Sequence, residues 1–183
     1  MPHTSPLTAA LVAATLPPAR LPQPGSVVAV ARWRSAEGLG AVLSVRHRRD
    51  GVLASDVAVA VRTDEGAWRD LGVSSGSSGY PDVFSPSPGP PDAALLGMAE
   101  TWISDQDFRG GAEAPLRLFE LRLSASVTSV VCETASSRAV QEISPLHFCL
   151  VGVLGDEPAT VHVHRGANLV DGIPLHPAWT PWR

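Results

Sequence analysis

Apolar and polar positions alternate in short blocks along most of this chain, and each block ends at turn-forming residues. Leu116–Leu123, Val127–Thr134, Ala139–Ile143, His147–Leu154 and Thr160–His164 follow one another in this way. A strand of five or six residues plus its turn consumes about ten positions, so the spacing predicts antiparallel strands stacked as a sandwich or barrel. Upstream, Ser26–Trp33 and Ala41–His47 read as two further strands, and Ser55–Arg62 alternates valine with alanine. Alanine along one face predicts that another element approaches that face closely. In Leu116–Leu123, Leu116 and Leu118 share one face while Phe119, Leu121 and Leu123 share the other. A bulge near Leu118 reconciles the two sets, and so does burial on both sides.

The pair Asp50-Gly51 marks a hairpin. A two-residue turn would set Val45 opposite Asp56 and mix buried with wet positions. A three-residue loop, Arg49-Asp50-Gly51 with Gly51 left-handed, sets Leu43 opposite Val57 and Ala41 opposite Val59 and brings Arg46 diagonal to Asp56. The three-residue loop is the expectation.

Residues 1–24 read as a short helix and a linker: Leu7–Leu16 is helical, capped by Thr4 or Ser5 and stopped by Pro17-Pro18. That stretch matches a signal-peptide core in length but has no Lys or Arg before it, so a cytoplasmic location is expected, with export the alternative. Ser, Gly and Pro dominate residues 73–91, which predicts a long mobile loop. Asp92–Ile103 fits either a short helix or a strand over Met98–Ile103. Residues 174–183 form a tail containing two tryptophans. The expected whole is one mainly-β domain over residues 1–183, a two-sheet antiparallel sandwich that resembles immunoglobulin-like modules in architecture. The Cys-Trp-Cys hallmark of those modules is absent, because no Trp lies between Cys132 and Cys149.

Composition narrows the function classes. At 44% hydrophobic and 17% charged, with 16 Gly and 17 Pro, the chain is globular and turn-rich. A net charge of −4 excludes a nucleic-acid partner as the expectation, since such proteins need surplus cations. No apolar run reaches the ~20 residues of a membrane span, so no membrane partner is expected either. All 14 cationic side chains are arginine, the mark of a GC-rich bacterial genome rather than of phosphate recognition. Cys132 and Cys149 lie in apolar strand blocks and read as reduced, buried residues unless the protein is secreted and the two pair.

Several groups carry candidate chemistry. His162 and His164, two apart on a strand, project from one face and could grip a metal ion, with His47, His147 or His176 as a third ligand. Gly155 with His162-x-His164 resembles a fragment of the cupin metal motif over about a dozen residues. The glycine spacing is one residue too long and the expected glutamate is missing from Arg165–Asp171, so neither metal nor cofactor is expected. Gly72-Val-Ser74-Ser-Gly76 has the pattern of a hydrolase nucleophile elbow but is not followed by a helix pattern. Glu100, Asp105 and Asp107 form an acidic cluster without the distal glutamate of a calcium loop. Arg32-Trp33-Arg34 and Arg46–Arg49 read as solvated strand faces or as an anion-binding face.

In the tail, Pro177 and Pro181 favour an extended left-handed helix that stacks Trp179 and Trp182 on one side, next to Arg183. Two indoles and a guanidinium suit docking on another protein, and sealing the chain's own core is the competing role. Trp33, Trp68 and Trp102 read as core residues, or as a sugar-stacking platform where exposed. The sequence therefore favours a non-catalytic protein-interaction or accessory module of a bacterial system. The alternatives are a metal-dependent or hydrolytic enzyme using His162 and His164, or a carbohydrate- or ligand-binding module.

Overall fold

A computed structural model describes residues 6–14, 16, 22–78, 92–104 and 113–175. Among these residues there are one short helix, α1 (Pro6–Val12), and eleven strands in chain order. These are β1 (Val27–Arg34), β2 (Leu39–His47), β3 (Leu53–Arg62), β4 (Trp68–Ser78), β5 (Ala93–Ile103), β6 (Ala114–Leu123), β7 (Ser129–Thr134), β8 (Arg138–Gln141), β9 (Phe148–Leu154), β10 (Ala159–Arg165) and β11 (Asn168–Leu175). They pair into three antiparallel sheets: a first of order β1-β2-β3-β4, a middle one of order β5-β6-β9, and a third of order β11-β10-β7-β8. The protein is thus mainly β, with three sheets where the strand spacing suggested two.

The double-sided pattern of β6 explains the extra sheet. Leu116 and Leu118 pack with Phe148 and Leu150 of β9 against Val57, Val59 and Val61 of the first sheet. Phe119, Leu121 and Leu123 pack with Cys149, Val151 and Val153 against Val130, Val161 and Val163 of the third. None of these β6 and β9 residues is more than 3% exposed. Each contributes roughly 1.5–3 kcal/mol of transfer free energy as an upper bound. Burial on both sides, and not a bulge at Leu118, reconciles the pattern: the β6–β9 pairing is regular from Leu116↔Leu154 to Arg122↔Phe148.

The alanine face of β3 is covered as its composition implies. Ala60 packs with Val42 against Leu7, Leu11 and Leu16, so α1 and the residues after it form an outer layer on the first sheet. A Cβ at Gly40 would lie 2.8 Å from both Leu11 and the Trp68 ring, so the helix seats only on a glycine there. The β2–β3 hairpin has the expected three-residue register, Leu43↔Val57 and Ala41↔Val59. Gly51 sits at φ 83°. Arg46 meets Asp56 at 3.1 Å.

At two segments the strands run longer than expected. β5 is a strand along its whole length, the helix alternative failing because Ala93 to Ile103 find backbone partners on β6. β4 continues beyond Val73 to Ser78 by pairing with β3, because ladder hydrogen bonds need no side chain to pack. Residues 79–91 and the tail residues 176–183, with Trp179, Trp182 and Arg183, lie outside the described residues.

Candidate functional site

The strand alternation of β10 turns Val161 and Val163 into the core and places His162 and His164 together on the outer face of the third sheet. His162 Nε2 lies 3.6 Å from Glu133 Oε2, and Arg138 Nε lies 3.9 Å from the same oxygen. Among the described residues no three His, Cys, Asp or Glu side chains converge to hold a metal ion. His47 is elsewhere, with Nδ1 2.8 Å from the Pro22 carbonyl. His147 lies in the turn before β9 at φ 59°. His176, Asp105 and Asp107 fall outside the described residues.

Ser74 is not an elbow nucleophile in this geometry. It lies inside β4, paired with Val57, and the strand runs on through Ser78 without the strand-to-helix turn that such a nucleophile needs. The thiols are equally unsuited to nucleophilic work. Both are free and buried. Burial pushes Cys132 up to about 11 and Cys149 higher still, so each is a thiol rather than a thiolate at neutral pH.

The arginine clusters have structural employment. Arg32 is 2% exposed and faces α1. Its Nη1 donates to the carbonyls of Ala10 and Ala13, its Nη2 to Ala14 at 2.9 Å, and its Nε to Glu142 at 2.9 Å. The last carbonyls of a helix have no intrahelical donor, and the guanidinium supplies one to Ala10 in the last turn and two more to Ala13 and Ala14 just past it. Glu142, just past β8, so links the third sheet to the first and to the helix. Arg117, fully buried on β6, donates to the carbonyls of Gly155 at 3.1 Å and Glu157 at 2.6 Å, fixing the β9–β10 turn. At the opposite end of the middle sheet, hydrogen bonds from Arg165 and Ser124 hold the Asp92 carboxyl below its usual range. Sequence pattern gave no sign of Glu142 or Arg117, because both partnerships form between residues far apart in the chain.

The three internal tryptophans do not form a platform. Trp33 is buried, its indole flat on Gly152 of β9. Trp68 is half-buried beside α1. Trp102 alone of the three stands out, 64% exposed on β5, and Leu95 on the same strand is 48% exposed. Register puts both on the face that carries Met98, opposite Pro115 and Leu121 of β6. β5 ends the order of the middle sheet, so these two side chains, with the exposed Glu100 between them on the same face, lie at a sheet edge.

No family model, curated protein or solved structure matches this chain.

Proposed function

We propose that this chain is a non-catalytic protein-interaction or accessory module of a bacterial system and that it meets its partner along β5. The observation that carries the reading is the exposed pair Leu95 and Trp102 at the edge of a sheet whose other strands are buried on both faces. Tryptophan at a sheet edge is the residue type that dominates interface energetics, and an edge strand offers its backbone groups to a partner as well. Trp179, Trp182 and Arg183 supply a second contact in this proposal. We further read the first and middle sheets, which share one core, as an immunoglobulin-like sandwich to which the third sheet is added. A cytoplasmic setting suits the two unpaired cysteines.

The test is capture of partners from a lysate of the source cell by the wild-type chain, by Trp102→Glu and by a form lacking residues 176–183. Trp102 is exposed, so Trp102→Glu leaves the melting temperature within a degree or two. The expected result is a stoichiometric partner held by the wild type and lost with Trp102→Glu. Equal recovery by all three forms overturns the proposal.

A further inference from the structure

The first and middle sheets leave room for a ligand between them at one side. On one side β1 lies against β9, with the Trp33 ring where a Cβ of Gly152 would stand. On the other side β4 faces β5 across a cavity of about 260 Å³. Its floor is Val57, Val59 and Leu118, none more than 4% exposed. Two small residues keep it open. Ala99 of β5 forms part of one wall, and Gly72 of β4, opposite Val59, stands at the mouth, where a Cβ would meet nothing within 4 Å. Gly72 has φ +150°, which disfavours the side chain that would close the gap. Thr101, on the same face of β5 as Ala99, is the lining residue that brings a hydroxyl to that face.

We propose that this cavity binds a small uncharged molecule with an aliphatic or single aromatic body and at most one hydroxyl, which Thr101 receives. An apolar cavity of roughly 150 Å³ is enough for benzene, so the larger space here suits a body of about eight to ten carbons. An anion is disfavoured by the desolvation of its charge against valine and leucine. The site lies on the face of β5 turned toward the first sheet, whereas Leu95 and Trp102 lie on the other face, so it does not depend on the proposed partner contact.

Titration of the full chain with 1-octanol, followed in methyl-resolved carbon–proton spectra, tests the assignment. Saturable shifts confined to Val57, Val59, Leu71 and Leu118 are expected, with one-to-one stoichiometry and a melting temperature raised by at least about 2 °C at saturation. Octanoate should bind roughly tenfold or more weakly at pH 7, given the cost of burying its charge. Ala99→Phe fills the space and should abolish the shifts while the protein still melts cooperatively, and Val59→Phe serves if that variant does not fold. Thr101→Val should weaken 1-octanol severalfold and leave benzene binding unchanged. Shifts that never saturate, or that persist undiminished when the cavity is filled, overturn the proposal.

Discussion

Gly152→Ala lowers the melting temperature by roughly 6–12 °C, the equivalent of about 3 kcal/mol for a domain of this size. The magnitude follows from geometry. An alanine Cβ at this position would lie 2.4 Å from Cε2 and 2.5 Å from Cδ2 of Trp33, well inside contact distance. Neither partner can yield cheaply. Gly152 is held in register between Leu118 of β6 and its own strand neighbours. Trp33 is a rigid ring set opposite Ala41 in the hairpin of the first sheet. The close approach of β1 to β9 depends on this one missing methyl. A double-mutant cycle in a thermal melt checks the cause: Trp33→Leu in the Gly152→Ala background should recover more than about 1 kcal/mol relative to additivity. A fall of less than about 2 °C for Gly152→Ala would mean that the two sheets are not in contact here.

Arg32→Met has the second large effect, and it is local before it is global. The change leaves the carbonyls of Ala10, Ala13 and Ala14 without their donor. An orphaned acceptor costs about 1–3 kcal/mol where it is buried, as at Ala10, and less where it is part-buried, as at Ala13 and Ala14, so the helix should lift off instead of staying in place unsatisfied. A helix as short as Pro6–Val12 is unstable on its own. Its detachment uncovers Val42, Ala60 and one side of Trp68. The expected readouts are a red shift of tryptophan emission and rapid proteolysis within residues 6–14, with stability lowered by about 2–4 kcal/mol in the melt. Glu142→Gln should cost much less, under about 1 kcal/mol, because that carboxylate is 37% exposed and water replaces its partner. Salt at about 1 M should mimic the glutamate change and not the arginine one. Equal, small effects of both substitutions would contradict the role given to Arg32.

Which parts of this arrangement could be read from the sequence depends on how local their causes are. The β2–β3 hairpin was fully legible because Gly51, the valine alternation and the Arg46–Asp56 pair all lie within one supersecondary unit. The cover on the alanine face of β3 was legible as a need, but not as α1, because alanine shows that something comes close without saying what. The number of sheets was not legible. Arg117, Glu120 and Arg122 interrupt β6 and disguise a strand buried on both faces, and Arg117 reaches carbonyls of the β9–β10 turn that no periodicity reveals. The tryptophans show the same limit: Trp33 and Trp102 have similar strand contexts, and only the small residues Gly152 and Ala41 beside the first decide that it is buried. For the candidate chemistry, His162 and His164 do share a face as their spacing requires, but a third ligand is a question of tertiary placement.

At the centre of this picture, β6 and β9 form the heart of the molecule, covered on both faces. Native-state amide hydrogen exchange measures that protection strand by strand. Amides of Leu116–Arg122, in the strand paired on both sides, should exchange only through global unfolding, while those of the outer strands β8 and β11 exchange orders of magnitude faster. Exchange in β6 as fast as in those edge strands would contradict it.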